Sequence, residues 1–458
     1  MCGIIGAYRQ DIKEGLEALK HRGPDFRFQF QLGSFNFGHA RLSILDPEVR
    51  SNQPFLFRNS ILVYNGELWN YKELRTELQN IGYEFTTTGD TEVVSIALHH
   101  WGIDALERFN GMFALGWTNG DECYLARDRF GEVPLYFIRQ PFFFASERKA
   151  LLKYGINNAE LFPAGHYFEY DAVNPILENV ALPYYSVSNN PIQYSKVDDV
   201  YSKLEKLLLD AVEERTIADV PICTLLSGGI DSSLITAILS KSYKDLVAYT
   251  AVFNEKSSDL KFARMLAKEL NVKLVEVKIN SPTLEDIEDT IWCIESPLKT
   301  QVEIAYPCIK LAQAIKSDGF KVTFSGDGSD EMFGSYRFAY YGIKEHGYKN
   351  YVRKLYSSLS YKNYIRNNKA FMAHGVEVRL PFANRQLVEY CLNWPEEFYN
   401  SKNEKMILKS SMKNILPDYI TKRHKIGFQD GLGIKSAFKT IINPSGYKSI
   451  YKGLFNEA

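Results

Sequence analysis

The chain has 458 residues, of which 45% are apolar and 24% charged, with a formal net charge of -1 at pH 7. This length favours two or more domains, each large enough for its own core. The near-neutral charge gives no electrostatic basis for binding nucleic acid or an anionic membrane surface, and no run approaches the roughly 18 apolar residues that a membrane-spanning helix needs.

The six cysteines are scattered along the chain without a C-x-x-C pair. Neither a zinc knuckle nor a disulfide framework is therefore indicated. The first residues lack a basic region followed by an apolar stretch, which argues against a signal peptide. We expect a soluble, reduced, cytoplasmic protein.

The first predicted element is a strand over Met1–Tyr8, and it carries a cysteine at position 2. Removal of Met1 would give Cys2 a free α-amine beside its thiol, with unperturbed pKa values of about 8 and about 8.5. The amine can then act as the base for the thiol of its own residue, as in N-terminal nucleophile hydrolases. A buried, inert thiol is the alternative reading of this position.

Short strands with some helix continue to about residue 185. Further strands, rich in aromatic and branched residues and bounded by turns, are predicted at Gly33–Ile44, Ile61–Tyr64, Gly111–Trp117, Glu122–Ala126 and Pro134–Arg139. Apolar residues spaced by three and four predict helices at Tyr71–Ile81, Thr91–Trp101 and Asp104–Phe109. Strands in two groups with helices outside them predict a layered sandwich.

Residues Ser186–Lys196 are polar and turn-rich, and they are predicted to be a linker before a second domain. Helices and strands then alternate: helix Val200–Thr216, strand Pro221–Leu226, helix Asp231–Ser240, strand Leu246–Phe253, helix Asp259–Leu270, strand Leu274–Val277, helices near 284–295 and 302–317, and strand Lys321–Phe324. This alternation predicts a parallel, doubly wound α/β sheet covered by helices. The remainder, to residue 458, is predicted to be mainly helical.

A serine- and glycine-rich loop joins the first strand of this second domain to the helix that follows. Its sequence is LLSGGIDSS, from Leu225 to Ser233. Serine hydroxyls and the first N–H groups of the helix can bind an anion at the positive end of the helix dipole. The lysine of a Walker A loop is absent, which suits a loop that cradles pyrophosphate and cleavage between the α and β phosphates.

A second strand end carries three carboxylates in Ser325–Glu331, SGDGSDE. Magnesium takes oxygen ligands from one or two carboxylates together with phosphates. The sequence therefore predicts a magnesium-ATP site at these two strand ends, with a solvated acidic turn as the alternative.

Together these motifs resemble the glutamine-dependent asparagine synthetase family, from Cys2 to about Gly433. The resemblance implies an N-terminal nucleophile (αββα sandwich) domain over residues 1–185, a linker over 186–196 and an ATP-pyrophosphatase domain over 197–458. It also implies that glutamine is hydrolysed in the first domain and that ammonia passes through a tunnel. In the second domain, ATP then activates a carboxylate as an acyl-adenylate, which ammonia attacks.

The resemblance assigns glutaminase roles position by position. Cys2 corresponds to the nucleophile, and Asn65 and Gly66, in Tyr64–Glu67, correspond to the pair that stabilises the oxyanion. The glutamine-binding set is Arg41 for the carboxylate, Glu67, and Asp90 for the α-ammonium. The string His21–Asp25 (HRGPD) is also typical of the family.

In the second domain the resemblance assigns ATP and magnesium as cofactors. The residues expected to contact ATP are Leu226, Ser227, Gly228, Gly229, Asp231, Ser232, Val252, Ser325 and Gly326. Asp231 and Asp330 are expected to hold magnesium, and Lys405, in Glu404–Leu408, to stabilise the phosphates during adenylation. Asp327 is assigned to the catalytic set. The strings Met372–Phe382 and Arg423–Phe428 are also typical of the family.

Three positions depart from the family pattern. Asp327 stands where many members carry Glu, and Asn384 replaces a common Asp. Glu303 stands where typical asparagine synthetases carry an arginine. An anion near carboxylates and pyrophosphate would disfavour aspartate as the acceptor unless Lys299 compensates.

The segment Arg337–Lys369 is basic and rich in tyrosine, with Glu345 as its only acid. Its pattern predicts amphipathic helix with a solvated face. Basic residues interleaved with aromatics can bind nucleic acid, but the resemblance argues against that reading and leaves recognition of a larger acidic acceptor as a third option.

The leading hypothesis is therefore glutamine-dependent asparagine synthesis, with glutamine and a carboxylic acid as partners and no nucleic acid or membrane. The alternative is the same chemistry on another carboxylate, such as a uronic acid of a surface glycan or a natural-product acid. A β-lactam-forming relative is disfavoured because it needs no glutaminase cysteine, and the intact motifs argue against a non-catalytic binding protein. Assembly as a homodimer is left open.

Overall fold

The computed structural model describes residues 1–171, 180–255, 257–336, 339–395, 405–424 and 426–456. Arg337, Phe338, Glu404 and Lys425, which belong to segments singled out above, lie outside these residues. The first part of the chain is mainly strand, as predicted. Its described strands are β1 (Gly3–Tyr8), β2 (Phe26–Leu32), β3 (Phe35–Arg41), β4 (Phe55–Phe57), β5 (Ser60–Leu68), β6 (Gly111–Thr118), β7 (Glu122–Arg127), β8 (Tyr136–Ile138), β9 (Phe143–Ala145), β10 (Glu160–Leu161), β11 (His166–Asp171) and β12 (Leu182–Pro183).

These strands form two sheets that pack face to face. Their strand orders are β10-β8-β9-β1-β3-β2 and β12-β11-β7-β6-β5-β4. Successive side chains of β5 point to opposite faces of the sheet, so this strand contributes to two different cores. Ile61 and Val63 join the core between the sheets, whereas Leu62 and Tyr64 join a core on the outer face.

Helices cover both outer faces, which completes the αββα sandwich. The helices of this part are α1 (Lys13–Ala18), α2 (Tyr71–Asn80), α3 (Thr91–Trp101), α4 (Ala105–Arg108) and α5 (Arg148–Leu152). α2 and α3 pack on the second sheet, and α1 and α5 pack on the first. The sequence does not predict α1 and α5, because five or six residues are too few to show a helical period.

The second domain contains a parallel sheet. Its strands are β13 (Ile222–Leu225), β14 (Val247–Val252), β15 (Lys273–Lys278), β16 (Val322–Phe324) and β17 (Glu377–Arg379). They pair in the order β15-β14-β13-β16-β17, all parallel. The direction of winding reverses between β13 and β16, and ligands bind in the crevice at the carboxyl ends of strands at such a switch point. The predicted doubly wound fold is confirmed.

The described helices of this domain flank the sheet and make up its C-terminal part. They are α6 (Val197–Glu213), α7 (Ile230–Ser242), α8 (Ser258–Glu269), α9 (Leu284–Ile294), α10 (Lys299–Ser317), α11 (Ser329–Met332), α12 (Ala339–His346), α13 (Tyr348–Ser357), α14 (Asn363–Met372), α15 (Arg385–Cys391), α16 (Met406–Ser411), α17 (Asp418–Thr421), α18 (Phe428–Leu432), α19 (Lys435–Lys439) and α20 (Pro444–Phe455). In the described part of the chain, no helix is both long and apolar enough to cross a bilayer.

One expectation from the sequence is wrong for α14. The basic, tyrosine-rich segment is predicted to have a solvated face, but four consecutive polar residues of α14 are buried: Arg366, Asn367, Asn368 and Lys369. Buried polar groups are stable only with partners. Arg366 pairs with Asp327 of the second domain, and Asn368 and Lys369 bind residues of the first domain, because α14 lies between the second-domain sheet and the first domain.

Candidate active sites

Cys2 lies directly before β1, where that strand pairs with the end of β3. The Leu42 N–H donates to Cys2 Sγ over 3.4 Å, and the Cys2 N–H donates to Asn65 Oδ1 over 2.6 Å. Burial raises the pKa of the Cys2 thiol, although the N-terminal ammonium and the Leu42 N–H act in the opposite direction. A thiol with a raised pKa needs an adjacent base to become a nucleophile.

Asn65 and Gly66 lie within β5, which pairs with β6 along its length. A Cβ on residue 66 would lie 2.2 Å from the Met112 carbonyl oxygen and 2.7 Å from Phe113 Cα. The close approach of β6 therefore requires glycine at this position. Because Asn65 also accepts a hydrogen bond from Cys2, β5 brings the predicted oxyanion pair to the thiol.

Arg41 is at the end of β3, buried beside the same site. Its Nη1 donates to the Glu48 carbonyl oxygen over 2.8 Å and to Asn52 Oδ1 over 2.7 Å. The pKa of Arg41 is lowered overall, because the effect of burial exceeds the opposite effects of Cys2 and Asp46. The guanidinium thus holds the loop that follows β3, and its expected contact with the carboxylate of glutamine stays a prediction.

Glu67 and Asp90 bring two buried carboxylates to the site. Asp90 Oδ2 accepts hydrogen bonds from the Leu68 N–H over 2.9 Å and from the Tyr64 hydroxyl over 3.1 Å. Burial raises the pKa of Asp90 to about 6. Burial, Glu377 and Asp90 raise the pKa of Glu67 well above its usual range, and among the described residues Glu67 Oε2 has no hydrogen-bond partner. A cationic ligand group such as an α-ammonium would relieve this concentration of carboxylates.

Strand β17 of the second domain also reaches this site. Glu377 accepts hydrogen bonds from the Met1 ammonium and from Arg379 Nε, the latter over 2.7 Å. Arg379 Nη2 lies 4.0 Å from Glu67 Oε1. Burial acts to raise the pKa of Glu377, but the ammonium and Arg379 outweigh it and hold that pKa below its usual value. The sequence marks Met372–Phe382 as a family string, and only the fold shows that the string touches the Cys2 site.

A second site lies at the carboxyl ends of β13 and β16, in a cavity of about 820 Å³. Ten of the residues predicted from the sequence line it: Leu226, Ser227, Gly229, Asp231, Ser232, Ser325, Gly326, Asp327, Asp330 and Lys405. Gly228 and Val252 are not among the described residues of this lining, so their assignment to ATP stays a prediction. The volume lies within the range of about 300–1,000 Å³ typical of ligand pockets.

The serine- and glycine-rich loop leads into α7, whose first turn faces the cavity. The Ser227 N–H donates to Ser232 Oγ over 3.1 Å, which folds the loop back on the helix. Gly228 has φ +80, and a Cβ there would lie 2.4 Å from the Asp259 carbonyl oxygen. The loop therefore needs glycine both for its backbone conformation and for its contact with α8. It presents N–H groups where an anion can bind.

Lys405 joins two carboxylates that come from separate strand ends. Its Nζ lies 2.5 Å from Asp231 Oδ1 and 2.6 Å from Asp330 Oδ1. The Lys405 side chain is only 2% exposed, so this lysine is buried in the site and does not lie on a solvated helix surface. Ser329 Oγ donates to the same Asp231 oxygen over 2.6 Å.

These carboxylates are the donors that magnesium would use. Asp231 and Asp330 meet at a single ammonium, so their oxygens are close enough to share a cation, and magnesium binds through one or two carboxylates plus phosphates. The described residues contain no cluster of three or more His, Cys, Asp or Glu side chains arranged around a metal. The donor set therefore fits a magnesium ion bound together with a nucleotide rather than a cage made by protein alone.

Arg366 of α14 supplies a cation that the sequence does not predict. Its Nη2 lies 2.7 Å from Asp327 Oδ1, and Ser325 Oγ donates to Asp327 Oδ2 over 2.5 Å. Glu303, which replaces a family arginine, is not among the described lining residues. It is buried against Lys299 Nζ at 3.3 Å and accepts from Gln429 Nε2 over 2.9 Å. Lys299 thus pairs with Glu303, and the effect of Glu303 on the choice of acceptor stays a prediction.

Comparison with known proteins matches both halves of the chain. A family model of a glutamine amidotransferase domain matches residues 1–176, and one of asparagine synthase matches residues 203–364 and 344–443. Asparagine synthetase B (glutamine-hydrolyzing) of Escherichia coli strain K12 is 31% identical over 469 residues, covering 94% of this chain and 83% of that protein. A probable asparagine synthetase (glutamine-hydrolyzing) of Schizosaccharomyces pombe is 31% identical over 494 residues, covering 94% and 85%.

Proposed function

Since the chain belongs to the glutamine-hydrolysing asparagine synthetase family, we propose that it uses ammonia from glutamine to convert aspartate into asparagine. The family makes the chain an ATP-dependent, glutamine-hydrolysing amide ligase with glutamine and a carboxylic acid as its substrates. Aspartate as the acceptor, magnesium and the individual residue roles are the proposed parts.

In the first domain, removal of Met1 frees the α-amine of Cys2. The amine takes the thiol proton, and the thiolate attacks the carboxamide carbon of glutamine. Asn65 and Gly66 stabilise the oxyanion that forms. Ammonia leaves as a thioester forms, and water then releases glutamate. Arg41, Glu67 and Asp90 hold the carboxylate and ammonium of glutamine.

In the second domain, a carboxylate oxygen of the acceptor attacks the α-phosphorus of ATP, and pyrophosphate leaves. The ammonium of Lys405 stabilises the negative charge that develops on the phosphates. Magnesium, held by Asp231 and Asp330, would supply further charge neutralisation. Ammonia then attacks the acyl carbon, and AMP leaves as the amide forms.

The observation that supports aspartate as the acceptor is that the cavity lining carries both a positively charged side chain and carboxylates. Arg366 provides a cation, and Asp327 and Glu331 provide carboxylates within the same lining. A zwitterionic amino acid uses both kinds of group beyond its reacting carboxylate. A uronic acid has hydroxyls but no ammonium, so it could not supply a cation to Glu331, which accepts hydrogen bonds from the neutral Tyr336 hydroxyl and Asn363 Nδ2.

The test is pyrophosphate release with ATP, magnesium and ammonium chloride, which bypasses the glutaminase. Aspartate, glutamate, glucuronate and galacturonate are compared as acceptors, with a chelator in a parallel reaction. We expect release with aspartate and its loss on chelation. Release with a uronate and none with aspartate would overturn the proposed acceptor in favour of the alternative.

Domain limits, assembly and location are also proposed. The described residues between Pro183 and Val197 form neither helix nor strand, which supports a linker over 186–196 between domains at 1–185 and 197–458. Limited proteolysis is expected to cut in this linker first. Sedimentation would test the homodimer, and cell fractionation would test the cytoplasmic location.

A further inference from the structure

Helix α14 forms one wall of the synthetase cavity. Asn363, Arg366, Asn367 and Phe371 line that cavity, and their spacing of three, one and four places them on one face of a helix. The other side of α14 contacts the first domain, where Lys369 Nζ donates to the Tyr136 hydroxyl over 2.8 Å. The cavity face of α14 therefore carries three polar side chains beside Phe371, and one of them, Arg366, contacts Asp327.

Asn367 has a fixed orientation on this face. Its Oδ1 accepts hydrogen bonds from Arg366 Nη2 over 2.9 Å and from Arg366 Nε over 3.3 Å. A guanidinium has only donors, so it selects the oxygen of the amide and turns the NH₂ group away from itself.

Among the described residues, Asn367 Nδ2 has no hydrogen-bond partner, although the residue is 1% exposed. The other two asparagines of α14 differ. Asn363 Nδ2 donates to Glu331 Oε1 over 2.7 Å, and Asn368 Nδ2 donates to the Glu132 carbonyl oxygen over 3.4 Å. A buried donor without a partner destabilises the fold, so its presence in a cavity lining points to a ligand oxygen as the missing acceptor.

The position of Asn367 indicates which ligand oxygen this is. The phosphate end of the cavity is marked by Lys405 with Asp231 and Asp330. Arg366 contacts Asp327, and Asn367 Oδ1 accepts from Arg366, so these residues form a part of the lining separate from the cluster around Lys405 Nζ. The reacting carboxylate must meet the α-phosphorus at the phosphate end. The oxygen near Asn367 therefore belongs to a group farther along the acceptor, and the adjacent guanidinium favours an anion there.

We propose that Asn367 is a specificity-determining residue whose Nδ2–H donates to a second, non-reacting carboxylate of the acceptor, beside Arg366. The inference rests on the proposed function of the chain as a carboxylate-activating amide ligase. It assigns to the acceptor site a donor that selects dicarboxylic over monocarboxylic acids.

The experiment measures ammonia-dependent pyrophosphate release by the full chain and its Asn367→Ala and Asn367→Asp variants. We expect Asn367→Ala to raise the KM for aspartate about tenfold or more, as for one lost hydrogen bond to a charged group. Asn367→Asp should raise it further, because it keeps the oxygen that Arg366 binds and places a negative charge where the donor was. The KM for ATP and the rate of glutamine hydrolysis should stay unchanged in both.

Two comparisons separate binding from a structural effect. Asn350→Asp makes the same charge change at an exposed position of α13 and should leave the KM for aspartate unchanged. β-Alanine, which is aspartate without its α-carboxylate, should be a poor acceptor for the wild type, and Asn367→Ala should weaken it no further.

Unchanged KM for aspartate in both Asn367 variants would overturn the proposal. A fall in kcat without a change in KM would also overturn it, since that result would make Asn367 a stabiliser of the reacting centre. If the wild type released no pyrophosphate with aspartate, the proposed function and this inference would both be overturned. Failure of the inference alone would look different, because the wild type would then be active with aspartate and the Asn367 variants would keep its KM.

Discussion

Arg22 Nη2 donates a hydrogen bond to Asn368 Oδ1 over 2.8 Å, and both side chains are fully buried. The same guanidinium donates from Nε to the Cys2 carbonyl oxygen over 2.9 Å. Asn368 is the neighbour of Asn367, which faces the synthetase cavity. Helix α14 is therefore a wall shared by both sites, and one hydrogen bond joins it to Arg22, which holds the backbone of Cys2.

Replacement of Asn368 by Ala should weaken both the fold and the glutaminase. It leaves an N–H of Arg22 buried without its acceptor, which costs about 1–3 kcal/mol of the free energy of unfolding. The Cys2 backbone also loses a fixed support, and kcat/KM for glutamine should fall about tenfold or more because small misplacements of a nucleophile are costly. Urea unfolding and glutamate release measure the two effects. Asn350→Ala on the surface is the control, and a stability equal to that of the control would contradict the prediction.

Cys2→Ala should separate the two half-reactions. Without the thiol there is no thioester, so glutamine-dependent amide formation should fall about a thousandfold or more. Amide formation from ammonium chloride should persist, because the synthetase cavity lies elsewhere. Cys123→Ala, which removes a thiol from the core between the sheets, should keep glutamine hydrolysis. Equal glutamine-dependent rates in Cys2→Ala and wild type would rule out Cys2 as the nucleophile.

Lys405→Ala should impair adenylation selectively. The substitution removes the charge that we propose stabilises the phosphates, and it leaves Asp231 and Asp330 without their shared cation. Pyrophosphate release should therefore fall about 10²–10³-fold. Glutamine hydrolysis serves as the internal check of folding and should be unaffected. Lys413→Ala, at an exposed position just beyond α16, should behave as wild type. A change in KM for ATP with normal kcat would show that Lys405 only binds the nucleotide.

His39 should make the stability of the first domain sensitive to acid. Burial, Arg41 and the N-terminal ammonium lower its pKa to about 3, so the folded protein binds fewer protons than the unfolded chain below pH 6.5. Stability from this residue is present above pH 6.5 and is lost as the pH falls from 6.5 towards 3. Between pH 7 and pH 5 the loss is about 2 kcal/mol.

The matching measurement is the free energy of unfolding of wild type and His39→Gln at pH 7 and pH 5. Gln has an amide that can donate to the Tyr64 carbonyl oxygen, which His39 Nε2 contacts at 3.3 Å, and it does not titrate. The wild type should lose about 2 kcal/mol more than the variant. Exposed His100→Gln should keep the wild-type loss, and equal losses in wild type and His39→Gln would refute the prediction.

The spacing of apolar residues along the chain predicted much of the fold. The helices at α2 and α3 match the predicted Tyr71–Ile81 and Thr91–Trp101 within one residue, because both show a clear period of apolar residues. α10 begins at Lys299 and continues through Pro307, whereas the predicted helix covers 302–317. Its first turn is too polar for hydrophobic periodicity to mark where it begins.

The motifs themselves came from the sequence: a cysteine at position 2, Asn65–Gly66 on a strand, and a glycine-rich loop before a helix. Each of these depends on neighbours in the chain, so a single sequence displays it. The tertiary structure decided the partners. Glu377, Arg379 and Asn368 reach the Cys2 site from more than 360 residues away, and Arg366 and Asn367 line the cavity at the ends of β13 and β16. The reason is physical: hydrophobic spacing encodes which face of an element is buried, but the partner of a buried polar group depends on which faces meet when the domains pack.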